Sequence, residues 1–386
     1  MNNSPAHKLV IVLFILGLMA ANGCAPSAQT QVQARLEGLT VAPGNFERAD
    51  GPRPLVFPQD LGPHPDFQTE WWYYTGNLAA ADGQRFGFQL TFFRRALVAP
   101  ADRAQRSSAW GADQAYLAHF GLTDPTSGQF HAFERFERGA AGLAGAQGDT
   151  QYHVWLQDWQ VEQTSPDSYK LQAAQDGIGL KLDLKDKKGI VLQGDQGYSQ
   201  KGPGAGNASY YTSQTWLESS GSIDVNGKTY AVNGLSWMDH EFSTSALSPD
   251  QVGWDWFSIH LDDGSELMVY QIRKKDGSVD PFSSGMVIYA DGSTRSLKPG
   301  DFNIEVNSFW KSPHSAGVYP ASWTVRIPSE GLTLQIKPIL ADQELNVSFI
   351  YWEGAVQVSG EKNGVPVNAR GYVELTGYAQ SLAGRF

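Results

Sequence analysis

Apolar residues along this chain recur at every second position, and that period allows few regular structures other than β-strands. Phe86, Phe88, Leu90 and Phe92 alternate with Gly87, Gln89 and Thr91. Ile178, Leu180, Leu182 and Leu184 alternate with glycine and charged residues, and Trp323, Val325 and Ile327 do the same. Asp-Gly steps at Asp82, Asp263, Asp276 and Asp291, and Asn-Gly steps at Asn226 and Asn363, punctuate the runs. Such dipeptides favour hairpin turns. Many short strands joined this way predict an all-β chain folded as sandwiches or barrels.

The pattern is also repeated. Residues 71–78 (WWYYTGNL) precede an Asp-Gly turn and a strand ending at Arg94, and residues 254–261 (WDWFSIHL) precede another Asp-Gly turn and a strand ending at Arg273. Trp216, Asn226-Gly227 and Gly234 are echoed by Trp352, Asn363-Gly364 and Gly371. Two tandem β-domains follow, over residues 46–244 and 245–386, with the boundary near residues 243–251. Two-residue turns at Asp82-Gly83 and Asp263-Gly264 would set Trp71 opposite Arg94 and Trp72 opposite Phe93. They would also set Trp254 opposite Arg273 and Phe257 opposite Tyr270. Each half would then pair an arginine with an indole.

The first 23 residues read as a secretory leader, with Lys8 ahead of an apolar run from Leu9 to Ala21. The run ends in small residues before Cys24, the one cysteine of the chain, which predicts acylation of that thiol and export as a periplasmic or outer-membrane lipoprotein. Acyl chains contribute about 0.8 kcal/mol per buried CH2, so a multiply acylated cysteine anchors firmly. Residues 24–45 read as a flexible tether. The formal net charge is -11, and Lys and Arg do not cluster, so no nucleic-acid partner is expected.

Chemistry concentrates in residues 234–242 (GLSWMDHEF) and 253–257 (GWDWF). Strand alternation puts Asp239 with Trp237 and His240 with Met238, on opposite faces. An Asp beside an indole in a low-dielectric hollow has a raised pKa and can serve as a general acid. Asp255, with Tyr270 as a hydroxyl partner, is a second candidate, and Glu70 opens a strongly aromatic strand containing Trp72 and Tyr74. The alternatives are structural: Asp239 tied to an arginine or a turn, and Glu70 paired with Arg94 or Arg95. Histidines are scattered without metal-ligand spacing, and no Gly-x-Ser-x-Gly elbow, phosphate loop or dinucleotide fingerprint occurs. A serine hydrolase is therefore not expected, nor is a metal site.

These blocks, with residues 67–78 (FQTEWWYYTGNL), 310–313 (WKSP), 319–323 (YPASW) and 351–354 (YWEG), resemble the AttH-like and carotenoid 1,2-hydratase proteins of the calycin superfamily. The resemblance covers nearly all of the chain after the tether. It implies two lipocalin-like antiparallel barrels packed together without a cofactor. Members include hydratases of a terminal isoprenoid double bond, related two-barrel proteins cyclise polyketides, and many bacterial members are secreted lipoproteins encoded beside ABC export systems. The hydratase residues map onto Trp237, Asp239 and His240, with Asp255 and Tyr270 as further carry-overs. The export signal departs from what a pigment-pathway enzyme needs.

Three functions compete. The leading expectation is a lipid-anchored binder of an apolar lipid- or isoprenoid-like ligand, held by Glu70, Trp72, Tyr74, Arg94, Trp254 and Trp256. The alternative is a hydratase, lyase or cyclase acting on an apolar alkene, with Asp239 as the acid and His240 or Asp255 activating water. The third, a sugar-binding sandwich or glycosidase, requires two carboxylates about 5–10 Å apart across a cleft.

Overall fold

The computed structural model describes residues 45–103, 108–149, 151–245 and 247–383. The expected leader and Cys24 lie outside the described residues, as does nearly all of the expected tether. Among the described residues there is no α-helix, only strands, turns and short 3-10 segments. The first sheet contains β1 (Thr69–Ala80), β2 (Arg85–Ala96), β3 (Gln114–Asp124), β4 (Gln129–Arg138), β5 (Ala144–Gln147), β6 (His153–Leu156), β7 (Trp159–Ser165), β8 (Ser168–Gln175), β9 (Ile178–Asp186), β10 (Ile190–Leu192), β11 (Tyr198–Gln200), β12 (Ala208–Val225) and β13 (Lys228–Ser243). The second contains β14 (Gln251–Leu261), β15 (Glu266–Lys274), β16 (Ser284–Ile288), β17 (Thr294–Leu297), β18 (Asn303–Lys311), β19 (Val318–Ile327), β20 (Leu332–Pro338), β21 (Glu344–Asn346), β22 (Ile350–Lys362) and β23 (Val365–Leu375).

The strand orders are β4-β3-β2-β1-β13-β12-β9-β8-β7-β6-β5 and β17-β16-β15-β14-β23-β22-β20-β19-β18. They superpose: β1 to β4 correspond to β14 to β17, and β13, β12, β9, β8 and β7 to β23, β22, β20, β19 and β18. The duplication seen in the sequence is therefore a duplication of topology. The first sheet curls until β2, β3 and β4 approach β6, which nearly closes a barrel. The second wraps its own core, and both sheets lie in one contact-dense unit.

The hairpin registers differ by one residue from the two-residue expectation. Trp71 faces Phe93, Trp72 faces Phe92, and Arg94 faces Glu70. In the second half Trp254 faces Ile272, Trp256 faces Tyr270, and Phe257 faces Val269. The arginines thus do not sit opposite indoles. Turn chemistry explains the slip. At Asp82 and Asp263 the side chain accepts the backbone N–H two residues on, from Gln84 at 3.0 Å and Ser265 at 2.9 Å. Only the following glycine has positive φ, +87° at Gly83 and +80° at Gly264. Such a turn closes a three-residue loop. At Asn226 and Asn363 the asparagine itself has positive φ, 50° and 54°, and the loop has two residues, with Val225 opposite Lys228 and Lys362 opposite Val365.

Alternation divides the central strands between two interiors. Trp72, Tyr74 and Leu78 of β1 join Phe86, Phe88, Leu90 and Phe92 of β2 in the first barrel's core. Phe257, Val269, Trp323, Trp352 and Val373 fill the second. The opposite faces form a third core between the barrels: Tyr73, Tyr211 and Trp237 from the first pack near Trp256, Met268, Tyr270, Ala355 and Tyr372 from the second. Polar bonds cross the same interface, from Tyr73 to Glu353 at 2.8 Å, from Asn77 to the Gly371 carbonyl at 2.9 Å, and from Lys188 to Glu266 at 2.8 Å.

Gly87 lies at a close approach of the two sheets: a Cβ there would sit 2.3 Å from that of Ala355. Gly87→Val should therefore lower stability by about 1–3 kcal/mol through overpacking. Urea unfolding should show a shifted midpoint with an unchanged slope. A wild-type midpoint would mean that the barrels do not pack here.

Candidate functional site between the barrels

The hollow of interest lies between the two barrels rather than inside either. Its volume is about 130 Å³, and its walls include Trp71 and Tyr73 of β1, Phe93 of β2, Tyr211 of β12, Asp239 and Glu241 of β13, Trp254 and Trp256 of β14, Tyr270 of β15 and Glu374 of β23. Each strand contributes alternate residues, as one face of a pleated sheet must. A wider, solvent-open hollow of about 980 Å³ lies at one end of the first barrel, lined by Leu61, Tyr169, Asp186 and Gln214 among others. None of the sequence-predicted residues lines it.

Asp239 is 3% exposed and accepts three hydrogen bonds. Ser213 donates its hydroxyl to Oδ1 at 2.5 Å, Trp237 donates Nε1–H to Oδ1 at 2.6 Å, and Tyr211 donates its hydroxyl to Oδ2 at 2.6 Å. Trp256 extends the chain across the interface by donating Nε1–H to the Tyr211 oxygen at 3.1 Å. Burial outweighs these donors, and the nearby Glu241 charge adds to it, pushing the Asp239 carboxyl up to about 7. Glu374 is likewise raised to about 7, by burial first and then by the charges of Asp239 and Glu241, although Trp254 donates Nε1–H to its Oε2 at 2.7 Å. Lys201 pairs with Glu241 at 3.1 Å and stands 4.3 Å from the Tyr270 ring centre. The two pocket acids near neutrality are thus Asp239 and Glu374, one from each barrel.

Glu70, Trp72, Tyr74, Arg94 and His240 occupy the opposite face, inside the first barrel. Glu70 Oε1 lies 2.8 Å from both His64 Nδ1 and His240 Nε2, and Arg94 donates Nε–H to Oε2 at 2.7 Å. Arg94 also donates Nη2–H to the carbonyls of His64 and Phe67, at 2.7 and 2.9 Å, which ties the segment before β1 onto the barrel. Although burial opposes it, the Arg94 charge with the two histidine bonds holds Glu70 well below the usual carboxylate range. Ligand-type atoms of His64, Glu70 and His240 lie within 4.8 Å of one another, a grouping that the scattered sequence positions conceal. Both Glu70 oxygens are already engaged and a guanidinium adjoins them, so the cluster reads as an ion-pair clasp.

Asp255 also faces away from the hollow, into the second barrel. Arg273 donates Nε–H to its Oδ1 at 2.9 Å, and Gln271 and Tyr378 donate to Oδ2 at 3.2 and 3.1 Å. The structure therefore brings together Asp239, Trp237, Tyr270, Trp254 and Trp256 of the predicted residues. It separates them from His240 and Asp255, because neighbouring residues on a strand face opposite ways. Tyr211, Ser213, Tyr73, Lys201, Glu353 and Glu374 escaped the sequence reading. The internal repeat held the signal for Glu374: it stands three residues after Gly371, as Trp237 stands three after Gly234.

Paired antiparallel barrels with an aromatic, acid-bearing hollow between them define the class of protein. Residues 48–378 match the AttH-like family, and the chain belongs to it. A solved structure described as an AttH (NE1406) from Nitrosomonas europaea is 37% identical with a TM-score of 0.76, covering 86% of this chain and 100% of that one. Kievitone hydratase from Nectria haematococca shares the fold at 15% identity and a TM-score of 0.64, over 87% and 98% of the chains. CghA does so at 12% identity and 0.53, over 87% and 97%. No curated protein matches the chain.

Two measurements test the opposed roles of the two acids. Between about pH 4 and 7 folded Asp239 keeps a proton that the unfolded chain has lost, so its contribution to stability falls as pH rises through that window. The melting temperature of Asp239→Asn minus that of wild type should therefore increase from pH 5 to pH 8. A constant difference would mean an ordinary carboxylate. Glu70 has the opposite sign: its stabilisation is present above the unfolded carboxylate pKa and is lost only well below it. Glu70→Gln strands Arg94 and should cost about 3–5 kcal/mol at pH 7, read by urea unfolding.

Proposed function

We propose that this protein is an enzyme that adds water to, or cyclises, an apolar alkene in the hollow between its barrels, with Asp239 as the general acid. The observation that carries this reading is a buried carboxyl, pushed up to about 7 by its burial, facing a chamber walled by indole and phenol rings. A neutral acid can deliver a proton to a double bond. The ring faces then stabilise the resulting cation through the same quadrupole that attracts ammonium and guanidinium groups. Kievitone hydratase, a hydratase by name, shares the fold and supports the reading at that level.

Size favours the enzyme over the carrier. An apolar cavity of roughly 150 Å³ holds a molecule such as benzene, and the chamber here measures about 130 Å³. That suits the reacting end of an isoprenoid and not a whole long-chain lipid. The wider hollow of the first barrel carries a polar cluster in its lining, where Gln214 donates to Tyr169 at 2.9 Å and to Asp186 at 2.7 Å. We place the enzyme on a membrane through an acylated Cys24. Labelling with radioactive palmitate should mark the wild type and not Cys24→Ala.

The test of activity is a panel of linear terpenes and prenylated phenols incubated in ¹⁸O-labelled water. Asp239→Asn should lose about 10²–10⁴-fold in turnover while remaining folded by circular dichroism. Full turnover by that variant would remove Asp239 from the chemistry. A silent panel, together with a lipid that co-purifies stoichiometrically, would favour the carrier.

A further inference from the structure

Asp239 as an acid leaves the second half of a hydration unassigned, because the attacking water must give up a proton. The sequence offered His240 and Asp255, and both face barrel interiors. Glu374 is in place instead. It lines the hollow from the second barrel, with its side chain partly open to it, and Trp254 fixes its Oε2.

Behind it stands Glu353. The two are direct partners in the β22–β23 ladder, on one face of the sheet, where opposed Cβ atoms lie about 4.5–5.5 Å apart. Glu353 is fully buried, and its Oε2 accepts the hydroxyl proton of Tyr73 from the first barrel at 2.8 Å. Its Oε1 is buried and has no hydrogen-bond partner. An isolated carboxylate oxygen in such a place is costly, whereas a protonated one becomes a donor. Burial, followed by the charge of Glu374, pushes Glu353 well above the usual carboxylate range.

The geometry points to Glu353 and Glu374 as an electrostatically coupled carboxyl pair in which Glu374 is the catalytic base and Glu353 the positioning residue. The assignment rests on the proposed alkene chemistry. In the forward step the Asp239 O–H bond breaks and its proton forms a C–H bond with one alkene carbon, using the π pair. A lone pair of water forms the C–O bond at the other carbon. One O–H bond of that water breaks and its proton passes to Glu374. Alkene and water become alcohol, and one proton has moved from the first barrel to the second, to be returned through water before the next turnover. In a cyclisation Glu374 would take the proton from carbon. The ionisable groups that act on Glu374 are Glu353, Tyr351 and Tyr372 of the second barrel and Asp239, Glu241 and Tyr73 of the first, while Tyr211, Tyr270 and Lys201 line the same hollow, with Lys201 paired to Glu241.

The test uses the full chain with myrcene, a neutral diene, in D₂O. Wild type should yield alcohol that carries carbon-bound deuterium. Glu374→Gln should lose alcohol formation by at least about 100-fold yet still exchange deuterium into recovered myrcene, because Asp239 protonates and the cation collapses back. Asp239→Asn should lose both. Hydration at the wild-type rate by Glu374→Gln, with Asp239→Asn inactive, would overturn this assignment alone. An active Asp239→Asn would overturn the underlying reading. Infrared spectroscopy of the free protein decides independently of substrate. A protonated-carboxyl stretch should remain in wild type above the pH range where Asp239 and Glu374 ionise, and Glu353→Gln should remove that remaining band. Absence of that band in folded wild type would overturn the carboxyl pair.

Discussion

The fold depends on strands that bury both of their faces. A sheet in a lone barrel turns one face to its core and the other to water, but β1, β13, β14 and β23 have cores on both sides. That is why Trp72 and Tyr73, adjacent in sequence, serve different interiors, and why the barrels cannot slide past one another without exposing aromatic surface. The barrel cores are packed with aliphatic and aromatic side chains. The small hollow that Asp239 faces lies where the two sheets meet.

That placement creates the chemistry. A carboxyl inside a barrel can be neutralised by a buried base, as Glu70 is by Arg94. A carboxyl on the shared face meets the outer surface of a second sheet, which here offers indoles, phenols and further acids. Asp239 and Glu374 therefore titrate high while Glu70 titrates low, although all three are strand residues with little access to solvent. The difference is the neighbouring groups, an arginine on the adjacent strand in one case and aromatic rings with further carboxyls in the other. Two acids of similar affinity for a proton, contributed by separate barrels to one small hollow, form an arrangement suited to moving a proton across a substrate.

The same division explains the two roles of the conspicuous sequence blocks. Asp239 and Glu241 line the chamber and Trp237 braces Asp239 from the same face, while Met238, His240 and Phe242 build the first barrel. His240 belongs with His64 and Glu70 in the clasp that holds the segment preceding β1. Asp255 with Arg273 and Tyr378 holds the chain after β23 in a comparable way. A dense run of polar and aromatic residues here encodes two separate jobs, one for each face.

The sequence by itself determined the all-β class, the tandem repeat and the face on which each residue of β13 lies. Those properties follow from local periodicity and turn preference, which act over a few residues. It also contained the distinction between Asp-Gly and Asn-Gly turns, which shifts register by one residue. Only the tertiary structure decided that Asp239 meets Tyr211, Ser213 and Trp256, that Glu374 faces it from the other barrel, and that the hollow lies between the barrels. Those contacts join residues far apart in the chain, and the packing of two sheet faces brings them together.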